Sequence, residues 1–201
     1  MNPMADTMKC MFWVDMEMSG LDENVDKILE VAVIITDLNL AQVESYQRVV
    51  YQPQEVLDTM NEWCKQNHGK SGLSAMVPKG TPLALVESEL IEIINRNFAK
   101  DEKVVVCGNS VGMDKRFIDR HMPRLTARMH YRVVDVTSFK EVFRSRYGLE
   151  VQKAKGHRAL DDIRESIGEL RYYMQFINED AAREAAAARK AAADASKSNK
   201  G

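Results

Sequence analysis

Cysteine is scarce in this chain. Cys10, Cys64 and Cys107 are odd in number, scattered and without a C-x-x-C pair. They read as reduced thiols of an intracellular protein, two of them in apolar surroundings, and not as a disulfide framework. Long apolar runs are missing as well. None approaches the ~18 residues that a membrane helix requires, so no membrane span is expected. Residues 1–9 have neither the apolar stretch of a signal peptide nor the arginines of a transit peptide. The expected home is the cytoplasm, with the mitochondrion as the alternative. Excess charge of one sign is also absent, with a net charge of −2 and a pI near 6.1. A grip on long nucleic acid needs many Lys/Arg–phosphate contacts and usually a basic domain, so that class is disfavoured. A short nucleic acid with one or a few phosphates is not.

What remains is ordinary for one globular domain: 201 residues, 45% hydrophobic and 29% charged. Residues 11–16 predict a first strand. The β-branched run 28–38 predicts a central buried strand, and 47–52 a third, with short links that favour a meander. Pro53 opens an expected helix to about residue 67, and Gly69, Gly72, Pro78 and Gly80 mark a loop. After Thr81-Pro82 a helix is expected with Leu85, Leu90, Ile93, Ile94 and Phe98 inward. Val104–Cys107 predicts a fourth strand, followed by a helix carrying Phe117, Ile118 and Met122. Residues 131–136 predict a fifth strand, and 138–147 a helix. The last core helix is expected to bury Ile163, Ile167, Leu170, Met174 and Ile177. The fold class is therefore α/β, a mixed five-stranded sheet flanked by helices. One domain over 1–177 is expected. Beyond it, 178–201 is a solvated or fraying helical tail with ten alanines among residues 181–195.

Asp15-Met16-Glu17 places two carboxylates two residues apart on the first strand, and i, i+2 side chains share a face. Like charges held together raise carboxylate pKa values unless a cation lies between them. Oxygen-only ligands of this kind suit a hard divalent ion, Mg²⁺ or Mn²⁺. Alone, the pair also reads as a solvated strand end. Asp114 follows a Gly-Asn-Ser turn early in a helix, where an ordinary first-turn acid would also sit. His157 precedes Asp162 by five residues. By itself His157 reads as a plain loop histidine.

Taken in order, D-x-E on the first strand, a mid-chain Asp and H-x4-D at the last helix resemble the DEDDh family of 3′-to-5′ exonucleases. The five positions are Asp15, Glu17, Asp114, His157 and Asp162. The flanking segments are more specific and resemble the oligoribonuclease branch. They are Phe12-Trp13-Val14-Asp15-Met16-Glu17-Met18-Ser19-Gly20-Leu21, Glu62-Trp63-Cys64 with His68-Gly69-Lys70-Ser71-Gly72-Leu73, and Gly108-Asn109-Ser110-Val111. Tyr131-Arg132-Val133-Val134-Asp135-Val136 and His157-Arg158-Ala159-Leu160-Asp161-Asp162-Ile163 complete the likeness, which runs from about Met11 to Ile177.

The resemblance implies an RNase H-like fold and hydrolysis of short RNA, down to dinucleotides, to nucleoside 5′-monophosphates. It implies two Mg²⁺ or Mn²⁺ ions about 4 Å apart, bridged by Asp15. Glu17 and Asp162 would hold the ion carrying the attacking water, and Asp114 would support the second. His157 would be the general base. Leu21 would wedge between the bases and Trp63 stack on one, unless Trp63 is a core aromatic of its helix. His68, Ser110 and the hydroxyls of the Val136-Thr137-Ser138 segment would close around the 5′ phosphate. Tyr131 would reach into the neighbouring subunit's site, implying a homodimer. Two alternatives stand beside this reading. One is a DEDDh exonuclease on longer single-stranded RNA or DNA, which a slightly acidic core does not favour. The other is a catalytically dead binding module, which is expected to lose at least one of the five residues.

Overall fold

The computed structural model describes residues 8–151 and 158–198; His157 lies outside the described residues. Five strands form one sheet: β1 (Cys10–Met18), β2 (Ile28–Asp37), β3 (Gln42–Val49), β4 (Val104–Gly108) and β5 (Met129–Asp135). Their order is β3-β2-β1-β4-β5. The first three form an antiparallel meander, while β4 and β5 run parallel to β1. Nine of the ten residues of β2 are buried. That strand is covered on both faces, which is why its sequence is nearly continuous in apolar residues instead of alternating.

The helices are α1 (Gln54–Thr59), α2 (Glu62–Lys70), α3 (Leu73–Met76), α4 (Leu83–Asn97), α5 (Gly112–His121), α6 (Pro123–Thr126), α7 (Val136–Tyr147), α8 (Ala159–Met174) and α9 (Glu179–Ser198). On one face of the sheet, Phe12, Val14 and Val33 pack with Leu90, Ile94, Phe117 and Ile118 of α4 and α5. On the other, Trp13, Ala32 and Ile34 pack with Ile163, Ile167, Leu170 and Tyr173 of α8. Asp15 and Glu17 share the parity of Trp13, so they face α8. No helix among the described residues is long and apolar enough to cross a membrane.

The structure corrects several boundaries. β3 spans 42–49, earlier than 47–52, because it pairs with β2 along most of its length. The single helix expected from Pro53 is two: Met60 turns extended, and the Asn61 side chain accepts from the Cys64 N–H, capping a new helix. The expected 69–80 loop contains α3 and a 3₁₀ turn, Val77–Lys79. In α4, Leu85 is exposed and Val86 takes the inward place. In α8 the stripe ends on Tyr173; Met174 and Ile177 are exposed, because the chain leaves the helix there. The alanine-rich segment forms α9, exposed throughout its described side chains.

Candidate active site

The site is built where β1 outruns its neighbour. β1 pairs with β4 only at Phe12–Val106 and Trp13–Cys107, so Asp15 and Glu17 project past the carboxyl end of β4. Strand ends of this kind are where α/β sheets place ligands. Asp15 and Glu17 point to the face on which α8 packs, and Asp162 stands in the first turn of that helix. One carboxylate oxygen from each of Asp15, Glu17 and Asp162 lies within 4.8 Å of the others, all three half-buried. Three carboxylates converging from two elements could hold a divalent cation through oxygen alone.

Asp114 comes from the other side of β1. Its carboxylate accepts the Met16 N–H at 2.9 Å, taking up a donor that β4 leaves unpaired. It is buried and is not one of that triplet. Burial pushes the Asp114 carboxyl up to about 7, opposed by the N–H donors it accepts and helped by Asp135. Burial also pushes Glu17 up to about 8; Asp162, Glu30 and Asp114 push in the same direction, and Arg158 opposes them. A cation in this cleft would reverse the electrostatic part of both shifts.

The Glu17 shift carries a stability consequence. Its proton is held more tightly in the folded chain than in the unfolded one, where the value is near 4.5. The contribution of Glu17 to the stability of metal-free protein should therefore be fully present below about pH 4.5 and fall away as pH rises toward 8. Glu17→Gln should flatten that fall, read as melting temperature against pH in the presence of a chelator. A slope as steep as that of the unaltered chain would remove Glu17 as its source.

Beside the carboxylates lies a cavity of about 470 Å³, lined among others by Glu17, Leu21, Trp63, Cys64 and His68. Leu21 and Trp63 are 69% and 60% exposed. Trp63 is thus a surface aromatic and not a core residue of α2. The loop that presents Leu21 is pinned by Asp26, whose carboxylate accepts from the Ser19 hydroxyl and the Asp22 N–H. A Cβ at Gly20 would fall 2.3 Å from that carboxylate, so a larger residue there would push the Asp26 side chain out of its place. His68 also lines the cavity but is almost wholly buried. Its Nε2 donates to the Met18 carbonyl at 2.9 Å, and Nδ1 lies 3.8 Å from Glu17 Oε2.

Two expected binding residues are not among those lining this cavity. Ser110 is exposed, with a left-handed backbone (φ 54°). That conformation aims its N–H at Asp135 Oδ1 and Thr137 Oγ1, at 2.9 and 2.8 Å. Tyr131 lies on the edge strand β5, 78% exposed, stacked on His130. The sequence reading missed Glu30, Arg158, Asp26 and Asp135. Glu30 did carry a signal, a lone carboxylate inside an otherwise apolar buried strand.

Residues 12–170 match the RNase_T family, described as an exonuclease. Mitochondrial oligoribonucleases of Mus musculus and Homo sapiens are each 44% identical over 173 residues, 83% of this chain and 73% of theirs. An oligoribonuclease of Francisella tularensis is 41% identical over 171 residues, 82% of this chain and 94% of its own. Among solved structures, exonuclease I from Methylocaldum szegediense superposes with a TM-score of 0.66 at 17% identity, over 84% of this chain. Zinc-bound E. coli exonuclease I with single-stranded DNA gives 0.67 at 13% identity, over 84% of this chain. The chain spans about two-fifths of the length of those exonuclease I chains, and the likeness is one of fold.

Proposed function

This chain belongs to the RNase_T exonuclease family, in its oligoribonuclease branch, and is a 3′-to-5′ exoribonuclease; from that premise we propose that it degrades short oligoribonucleotides, dinucleotides in particular, to nucleoside 5′-monophosphates. The observation that carries this reading is the Asp15–Glu17–Asp162 triplet beside a cavity with Leu21 and Trp63 at its mouth. Asp15, Glu17 and Asp162 would hold divalent cation, Mg²⁺ or Mn²⁺, and Asp114 would serve a second ion. When bound, such ions neutralise phosphate charge and lower the pKa of coordinated water. The protein's own part is to fix the carboxylates, receive the two bases at Leu21 and Trp63, and take the water's proton at His157. A cavity of about 470 Å³ suits one or two nucleotides better than a long strand. Comparing hydrolysis of a dinucleotide with that of a twenty-nucleotide RNA tests the reading. Faster turnover of the dinucleotide is expected; preference for the longer RNA would favour the general single-strand exonuclease, and no hydrolysis of either a binding module.

Stacking on Trp63 is sequence-tolerant, because every base offers a π face. Trp63→Ala should weaken dinucleotide binding by ~1–3 kcal/mol and leave metal affinity unchanged. Unaltered dinucleotide affinity would exclude a stacking role.

The proposal extends to a homodimer whose sites are shared. Tyr131, Arg132 and Val133 are exposed on β5, an open sheet edge. A two-fold pairing there would present the same surface from both copies, and Tyr131 would complete the partner's pocket. Asp15→Ala and Tyr131→Ala protomers, each nearly inactive as homodimers, should regain activity when co-assembled. Mixed dimers as inactive as both parents would overturn the shared site.

A further inference from the structure

We infer that the ion pair between buried Glu30 and half-buried Arg158 is a positioning device that sets where α8 presents Asp162 to Asp15 and Glu17. The inference rests on the reading of those three carboxylates as the metal-holding set. Glu30 is on β2, directly opposite Glu17 in the β1–β2 register, and is wholly buried. Its carboxylate receives four donors. Oε1 accepts from Arg158 Nη2 at 2.7 Å and Gln47 Nε2 at 3.0 Å. Oε2 accepts from Arg158 Nε at 3.2 Å and the Ala159 N–H at 3.4 Å.

Arg158 occupies the N-cap position of α8 and offers no side-chain cap to its own helix. The first N–H groups of a helix lack intrahelical partners and favour a negative charge. Glu30 supplies both the acceptor and the charge from a neighbouring strand, while the two-point contact with the guanidinium fixes direction as well as distance. Asp162 follows Ala159 within one helical turn, and its backbone N–H already bonds to the Arg158 carbonyl. The position of Asp162 is thus referred through Arg158 to Glu30, and through Glu30 to the strand beside Glu17.

Packing alone does not account for this arrangement. A buried ion pair is weak evidence for stability, and apolar residues of similar volume often serve as well. An apolar pair cannot set helix against strand through directional bonds. Coordination distances hold to about ±0.2 Å, so even a small slip of α8 along the sheet would spoil a site shared between β1 and α8.

The test uses the full chain, with Mn²⁺ binding by titration calorimetry and kcat and KM on a dinucleotide. Glu30→Gln keeps the shape but presents an amide to Arg158. It should lower Mn²⁺ affinity and kcat by about 10–100-fold, as loss of a group that orients metal ligands does, while KM changes little. Arg158→Lys should retain more Mn²⁺ affinity than Arg158→Met, since it keeps the charge and one donor. A purely structural role would lower the melting temperature and leave Mn²⁺ affinity and kcat untouched well below it. Glu30→Gln with Mn²⁺ affinity and kcat within threefold of the unaltered chain overturns the inference. Should that variant not fold, equal Mn²⁺ affinity in Arg158→Lys, Arg158→Met and the unaltered chain does the same. Asp162→Asn separates the two layers. If it binds Mn²⁺ normally, the reading of the carboxylates fails; if it loses Mn²⁺ while Glu30→Gln keeps it, only the positioning role fails.

Discussion

Asp15→Ala should lower dinucleotide turnover at least ~10³-fold at saturating Mg²⁺ while the chain still folds. Asp15 stands mid-strand on β1, paired in register with Ala32, and the strand's backbone bonds do not need its side chain. What the substitution removes is one of the three carboxylates whose oxygens lie within 4.8 Å of one another, leaving only Glu17 and Asp162 of that set. The fold is expected to tolerate this easily. Carboxylates already crowd this cleft: Glu17 is raised first by burial and then by Asp162, Glu30 and Asp114, with Arg158 opposing them, and like charges held together repel. Metal-free Asp15→Ala should therefore melt no lower than the unaltered chain, and a little higher where relieved repulsion outweighs lost contacts. Circular dichroism melts with chelator check the second expectation, and initial rates check the first. More than a tenth of normal activity would show that Asp15 is not the central ligand.

The sheet was legible because its strands satisfy a strong condition. β2 is covered on both faces, and a ten-residue run with one charge inside it and one at its last residue can hardly be anything else. β3 was misplaced for the complementary reason. It is an edge strand of mixed polarity, and its register is set by pairing with β2 and not by its own pattern. The break between α1 and α2 depends on one cap, Asn61, inside a sequence whose apolar spacing runs straight through. In α8 the periodic stripe was right in its body. It failed at its end because Tyr173, whose hydroxyl donates to Glu169, takes the inward place that spacing gave to Met174.

The candidate site was legible where chemistry demands a residue type, as with Asp15, Glu17 and Asp162. The groups that hold those residues were not. Asp26 pins the Leu21 loop through hydrogen bonds to Ser19 and Asp22, and Asp135 holds Ser110 through its backbone N–H. Both contacts depend on loop conformation. Glu30 and Arg158 are 128 positions apart, and no local pattern links them. His68 shows the limit from the other direction. It was named through the family resemblance and lines the cavity, yet the fold buries it beside Glu17 with Nε2 committed to the Met18 carbonyl.

His157→Ala should leave dinucleotide affinity nearly unchanged and lower kcat by ~10²–10⁴-fold, the range expected when a general base is removed. Hydrolysis requires a group that accepts a proton near neutral pH and then releases it. The carboxylates of the triplet are poor candidates once they face a cation, because a ligating carboxylate must stay ionised. An imidazole titrates near the working pH without perturbation. Among the described histidines, His68 is buried on a backbone carbonyl, His121 stacks on Phe117, and His130 stacks on Tyr131 at the sheet edge. His157 has Arg158 as its neighbour in sequence, held by Glu30, and Asp162 five residues on, within the carboxylate triplet. The pH–kcat profile carries the decisive readout. The unaltered enzyme should lose rate on the acid side as the base becomes protonated, below about pH 6.5 for an unperturbed imidazole. The variant should lose that limb and retain only a shallow dependence from the carboxylates. A variant that keeps the acid limb, or whose defect lies in dinucleotide affinity with kcat preserved, would make His157 a phosphate ligand and leave the base to be found elsewhere in the cleft.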